Sequence, residues 1–417
     1  MIFCLVLATI IFEKPAFSSG QKKLYRTNVK AMYNEENPNS FEAVIYHETN
    51  DNSRVYVEIN LKALTYLKHK YKEKHLARFS LHYQLFPNYE SKEVLDSATY
   101  FYTDTANYSL EANMVVDFTI RTAFPGEYVL KLTLTDFNRL ENGTTFRFYK
   151  VSKLDKHSAQ NFLILDDSDI PLFRKNLNDE AFFKVTYNQK DPGQLFVRYY
   201  NRTLPIAKTP FSVEKNFTFR FRADSLYNVS LVNGETVLLR LPFKGIYHFQ
   251  TDTIQTQGTT LFHFDEGFPE IETPLQAILP LRYLTTQKEY DALLNYPDHK
   301  IAIDSFWLVR ASNKPERAKN MIAKYYQRVV LANRMFTSYQ EGWKTDRGIV
   351  YIIYGPPTEV YRKTGQEQWI YGERGNPLNI NFYFDEVENP FTFNDYSLQR
   401  SVEYKSGWYI AVENWRR

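Results

Sequence analysis

The sequence predicts a mostly β, multidomain chain with two immunoglobulin-like β-sandwich domains followed by a C-terminal α+β domain. Three observations carry this. Aromatic residues make up 17% of the 417 residues, with 32 Tyr and 32 Phe, and both types favour the half-buried pleated surface of a strand. Short alternating stretches separated by turn residues recur from about residue 23 to 268. All five Trp then fall beyond residue 300, among longer stretches of helical spacing. At about 100–200 residues per domain, this length holds two to four domains. The expected boundaries are a signal peptide at 1–19, sandwich domains at 23–153 and 160–268, and the α+β domain at 270–417. A net charge of +3 makes no electrostatic case for nucleic acid or an anionic membrane as partner.

Ile2 to Phe12 form an apolar run of signal-peptide length, too short to span a bilayer. Ala16, Phe17 and Ser18 supply small residues at cleavage-site spacing, although no Lys or Arg precedes the run. A buried N-terminal strand is the competing reading. Export predicts a periplasmic or outer-membrane-associated chain that is soluble after cleavage. Cys4 is the only cysteine and lies inside the run, so the mature chain offers no disulfide and no thiolate ligand. No other stretch is long and apolar enough to cross a membrane.

In the first domain, residues 53–59 and 128–134 alternate, with Pro125 and Gly126 turning the chain before the second stretch. The cysteine pair of true immunoglobulin domains is absent. The basic run at 68–78 reads as a solvated hairpin or loop rather than a contact for an acidic surface or sugar phosphate. His69, His75 and His82 lack a metal-ligand spacing. Residues 154–161 read as a linker. Strands are expected at 181–187, 194–200, 216–222, 237–241 and 246–250, with Phe217, Phe219 and Phe221 alternating with polar residues. Gly245, Ile246 and Tyr247 echo Gly126, Glu127 and Tyr128, which suggests a repeated unit. Asn107, Asn142, Asn201, Asn216 and Asn228 begin Asn-x-Ser/Thr triplets, read as chance in an Asn-rich chain.

After Pro269 helices are expected at 286–294, capped by Thr285 or Thr286, and at 299–310, with Ile303, Phe306 and Trp307 on one face. A third runs over 315–337. Its Ala318, Ile322, Tyr325, Val329, Ala332 and Phe336 share a face, and Pro315 suits its first turn. Strands are expected at 349–354, 368–371, 379–384 and 408–412.

Residues 341–357 read EGWKTDRGIVYIIYGPP. Gly342 is placed to close the long helix as a left-handed residue, with Trp343 folded back on helix or sheet. Thr345 and Asp346 are placed to fix a turn through their own backbone, and Gly348 to release the chain into a strand buried on both faces. Gly355, Pro356 and Pro357 end that element. Trp343, Asp346 and Arg347 admit two readings: a binding or catalytic corner, or a junction in which Arg347 pairs with a distant carboxylate. The junction is favoured, because no nucleophile or second titratable partner is identifiable nearby. The order of these residues resembles the signature of the GWxTD-domain family of bacterial cell-envelope proteins. The resemblance covers the C-terminal domain and implies an envelope protein without implying a reaction. Gly342, Trp343, Thr345, Asp346, Arg347, Gly348, Gly355, Pro356 and Pro357 are the resulting structural or interface candidates.

No Gly-rich phosphate loop in a strand context, G-x-S-x-G elbow, H-E-x-x-H motif or Cys/His cluster is present, so no cofactor or metal is expected. A carboxylate pair for glycoside hydrolysis would draw on Asp304, Glu341, Asp346 and Asp385. The favoured function is a non-catalytic envelope protein presenting its C-terminal domain to another envelope or outer-membrane protein. Carbohydrate binding through exposed aromatics, with a glycan as partner, is the alternative, and a carboxylate-dependent hydrolase is third.

Overall fold

The computed structural model of the chain describes residues 9–11, 23–33, 40–68, 74–106, 113–189, 192–201, 203–214, 217, 219–373, 376 and 379–417. Alternation builds the first unit. It contains β1 (Thr9–Ile11), β2 (Phe41–His47), β3 (Asn52–Asn60), β4 (Leu67–Lys68), β5 (His75–Phe86), β6 (Asp96–Thr105), β7 (Asn113–Arg121), β8 (Glu127–Asp136) and β9 (Thr144–Ser152). One antiparallel sheet runs β1-β6-β5-β8-β9, with β4 on β5, and a second runs β2-β3-β7. Every second side chain turns inward. Val55, Val57 and Ile59 of β3 thus share a core with Phe79, Leu81 and Leu85 of β5 and Leu130, Leu132 and Leu134 of β8. Of the expected signal peptide only Thr9–Ile11 is described, as a strand on the edge of β6. The cleavage site, His69, Asn107 and Asn216 lie outside the described residues.

The second unit contains β10 (Phe162–Asp166), β11 (Phe183–Tyr187), β12 (Gln194–Tyr200), β13 (Ser225–Val232), β14 (Glu235–Thr236), β15 (Gly245–Gln250) and β16 (Thr259–His263). Hydrogen bonding runs through all seven in the order β10-β11-β14-β13-β12-β15-β16, so one continuous sheet encloses the core of Phe183, Val185, Leu195, Val197 and Phe249. Asn233 and Gly234, with φ of 56° and 79°, make the two-residue turn between β13 and β14. Such a left-handed pair matches the twist of the flanking strands.

Two expected strands are absent here. The described residues of 216–222 lie in no strand. Alternation says which side chains need cover, and Phe219 and Phe221 find it on Phe391 of the C-terminal unit, at 5.0 and 5.5 Å between ring centroids. Within 237–241 only Leu239 pairs, with Phe183. The run Val237-Leu238-Leu239 has no period of two to hold a register.

The C-terminal unit contains α1 (Pro274–Ile278), α2 (Gln287–Leu294), α3 (His299–Arg310), α4 (Pro315–Phe336), α5 (Asp346–Tyr354) and α6 (Tyr404–Arg416). Its sheet is an antiparallel meander of β17 (Glu359–Lys363), β18 (Gln366–Tyr371), β19 (Ile380–Glu386) and β20 (Tyr396–Leu398). Thr273 and Thr286 close capping boxes with Gln276 and Glu289, and the Asp298 carboxylate accepts the Lys300 and Ile301 amides. The buried face of α4 includes Ala318, Tyr325, Val329, Ala332 and Phe336. Among the described residues no helix is long and apolar enough to cross a membrane.

Two stretches expected as strands, 349–354 and 408–412, are helical. In α5 residues 349–353 are all buried, so the helix is apolar all round and shows no period. The signals that decide it flank the run: Thr345 is its N-cap and Gly355, with φ of 85°, ends it. Ile and Val cost up to about 0.7 kcal/mol each in a helix. Burying each stabilises by about 1.5–3 kcal/mol, so packing overrides propensity. In α6, Tyr404, Trp408, Ala411, Val412 and Trp415 recur at helical spacing and face the core.

That core is the largest in the molecule and reaches beyond the C-terminal unit. It joins Trp307, Tyr325, Phe336, Tyr351 and Trp369 to Phe86, Val129 and Phe148 of the first unit, and to Leu24, Val29 and Tyr33.

Two buried histidines set an acid response. His47 sits between the Ser53 hydroxyl and the Ser152 carbonyl, and His248 between the Thr260 hydroxyl and the Thr256 carbonyl. Burial pushes both down to about 4. Between pH 6.5 and 4 the unfolded chain therefore binds protons that the folded chain refuses. Stability is expected to fall as pH drops through that window, by up to ~3 kcal/mol per histidine. Asp395, pushed up to about 6 by burial, has the opposite sign between pH 4 and 6 and offsets part of the loss. Urea midpoints measured from pH 7 to 4 check this, and His47→Gln should flatten the profile.

Candidate functional site at the 341–357 corner

Helix α4 ends at Phe336, well before Gly342. Gly342 therefore does not close it; it opens a short 3-10 turn and is absent from the residues with positive φ. Glycine is required here by proximity: a Cβ would lie 1.9 Å from the Ala332 carbonyl oxygen. Gly348 has the same constraint, with a Cβ 1.9 Å from the Gly342 oxygen. The corner is thus made of α4, the 3-10 turn and α5 crossing at backbone contact.

Each motif residue fastens a different neighbour. The Trp343 amide donates to Asn333 Oδ1 at 3.1 Å, and its carbonyl accepts the Tyr283 hydroxyl at 2.9 Å. Its indole is buried beside a crevice of about 30 Å³, lined in part by Val329, Asn333 and Pro280, which is room for little more than a water molecule. Lys344 pairs with Glu341 at 2.7 Å. The Thr345 hydroxyl donates to the Gly342 carbonyl at 2.8 Å and accepts the Gly348 amide at 3.0 Å.

Asp346 does not bond its own neighbouring backbone, as the turn reading expected. Its carboxylate reaches β20, accepting the Leu398 amide at 2.8 Å, and takes both terminal nitrogens of Arg400 at 3.2 and 2.5 Å. A bidentate guanidinium fork is the strongest form of such a pair. Burial pushes the Asp346 carboxyl above the ordinary value, against the pull of Arg400 and the Leu398 amide.

Arg347 is 1% exposed. Its guanidinium lies 4.1 Å from the Tyr396 ring centroid, donates to the Asn394 carbonyl at 3.0 Å, and faces Glu367 at 3.7 Å. Glu367 is fully buried. One of its oxygens accepts Tyr33 Oη at 2.7 Å and the Trp369 indole N–H; the other accepts Arg362 Nε at 2.8 Å. Burial alone would raise the Glu367 carboxyl, but Arg362 and then Arg347 reverse this and hold it below the ordinary value.

Gly355 leaves α5 where a Cβ would lie 2.4 Å from the Arg328 guanidinium. That guanidinium donates to the Ile352 and Ile353 carbonyls at the helix end. Pro356 and Pro357 carry the chain from α5 to β17, the first exposed and the second buried. Glu367, Arg362, Arg400 and Tyr33 were not among the sequence candidates. Arg362 and Glu367 face each other in the β17–β18 register, which a hairpin reading of 359–371 would have shown. Tyr33 leaves no trace in the sequence.

The four carboxylates weighed for hydrolysis have separate partners: Asp304 on Lys300, Glu341 on Lys344, Asp346 on Arg400, and Asp385 on Gln366 and Gln399. A cleft of about 430 Å³ opens beside the network, lined by Ser212, Val213 and Glu214 across from Leu398, Arg400, Ser401 and Val402.

No curated protein matches this chain. A solved structure, "Biofilm associated protein - BSP domain", is similar at 10% identity and a TM-score of 0.18 over 57% of this chain. The chain covers 54% of that structure, and a likeness of this size carries no argument. Residues 245–417, from β15 to the last residue, match the GWxTD domain. The Gly342-Trp343-x-Thr345-Asp346 run stands at the central corner of this matched part of the chain.

Proposed function

We propose that this is a non-catalytic, exported cell-envelope protein. Two β-rich units of immunoglobulin-like architecture, the second contributing β15 and β16 to the GWxTD match, hold its C-terminal unit as an interaction domain for another envelope or outer-membrane protein. One observation carries the reading: Thr345, Asp346 and Arg347 each end on a partner inside the chain, so the motif joins α5 to its neighbours. The face offered to a partner is the rim of the Arg400 cleft. Val213 and Val402 line it and are 86% and 65% exposed, and Tyr409, packed on Phe211, is 53% exposed beside it. Exposed apolar side chains gathered at one cleft mark an interaction surface.

The test is affinity capture from the native envelope with the intact chain and with Val213→Glu/Val402→Glu. The intact chain is expected to retain a defined partner, and the variant to lose it at unchanged Tm. A folded Asp346→Asn chain that loses turnover of a small substrate would overturn the reading.

A further inference from the structure

We propose that the C-terminal unit contains a peptide-binding groove, specific for a segment ending in tyrosine, which the chain fills with its own residues 23–33. This goes beyond the interaction reading above and does not depend on any outside partner.

The segment enters through three anchors. Leu24, Val29 and Tyr33 are 6%, 1% and 3% exposed, whereas Arg26, Lys30 and Ala31 between them face solvent. Two hydrogen bonds tie it to the free edge of β17, one through its backbone and one through a side chain: the Val29 amide donates to the Val360 carbonyl at 2.9 Å, and the Val360 amide donates to Asn28 Oδ1 at 3.0 Å. Covering an open strand edge with a peptide is a common mode of peptide recognition.

The last anchor supplies specificity. The Tyr33 ring lies 5.6 Å from Phe336 and 5.3 Å from Trp369, centroid to centroid. Its hydroxyl donates to Glu367 and accepts from Arg362, and its carbonyl accepts the Tyr351 hydroxyl at 3.1 Å. All five of these groups come from 336–369, within the GWxTD domain, while the tyrosine comes from a segment outside it. A charged carboxylate with no exposure, aimed at one phenol, distinguishes tyrosine from phenylalanine. A phenylalanine would fill the space and leave the polar pair short of a partner. Apolar anchors, an edge-strand backbone bond and one polar pocket are the parts of a receptor for a short peptide.

The experiment uses the whole chain with a protease site inserted between Asn34 and Ser40. After folding and cleavage, a labelled synthetic peptide of residues 23–33 is added. Saturable exchange into the cut, folded chain is expected. A Tyr33→Phe peptide should bind about 10–100-fold more weakly, and a Tyr33→Ala peptide not measurably. Equal binding of the tyrosine and phenylalanine peptides, no uptake by a folded cut chain, or unfolding of the chain on cleavage would each overturn the proposal. Hydrogen exchange on the uncut chain gives a second reading. The Val29 amide should exchange faster than the amides of β18, and equal protection would show the segment to be an inseparable part of the domain.

Discussion

Glu367→Gln is expected to destabilise the chain by about 3–5 kcal/mol, the cost of leaving a buried charge without its partner. The side chain keeps its shape, so the loss isolates the charge. Arg362 and Arg347 would then share the interior with a neutral amide, and Tyr33 and Trp369 would lose a charged acceptor for their hydrogen bonds. Urea unfolding measures it. Lys300→Ala is the control, because its pair with Asp304 is exposed, with side chains at 75% and 58%, and its loss should stay under about 1 kcal/mol. Replacing Arg362 and Glu367 together by Met should recover part of the loss, since removing both members of a buried pair costs far less than orphaning one.

Gly342→Ala is expected to cost about 3 kcal/mol or more. The added carbon would meet backbone of α4, which cannot rotate away as a side chain would. Gly365 provides the contrast. Its φ is +72° with nothing near a Cβ, so Gly365→Ala carries only the backbone penalty of about 1–2 kcal/mol. Gly348→Ala gives a test of sign. In the first turn of a helix, alanine normally stabilises by up to about 1 kcal/mol relative to glycine. Here the contact with the Gly342 carbonyl should reverse that, and a rise in the urea midpoint would refute the close crossing.

These residues show where sequence was informative. The start of α2 was legible because Thr286 caps its own chain, the cap and the capped amides being neighbours in sequence. Strand β3 was legible because one face is less buried than the other, so that buried and half-buried residues alternate. Legibility failed at α5 because total burial erases the period that separates helix from strand. Its Thr345 cap was visible but was read as part of a turn, and its Gly355 terminus as the end of a strand. In α6, thirteen residues long, the spacing from Tyr404 to Trp415 was present and was missed by reading only five residues, 408–412. The site divides the same way. The motif residues were named from sequence, whereas the groups that hold them come from β17, β18, β20 and residue 33, and only the fold brings these together. Gly342 shows the difference between locating a residue and explaining it. Its place at the corner was legible, but its reason is a backbone on α4 that sequence does not reveal.

The corner as a joint between α5 and β20 is tested most directly by a double-mutant cycle of Asp346→Asn and Arg400→Met, read from urea unfolding. Groups in direct contact couple by about 0.5–3 kcal/mol, and the bidentate pair should fall in the upper half of that range, with each single change clearly destabilising. A coupling within about 0.3 kcal/mol of zero, from two single variants as stable as the parent, would contradict it. Asp346 would then be free to act on something outside the chain.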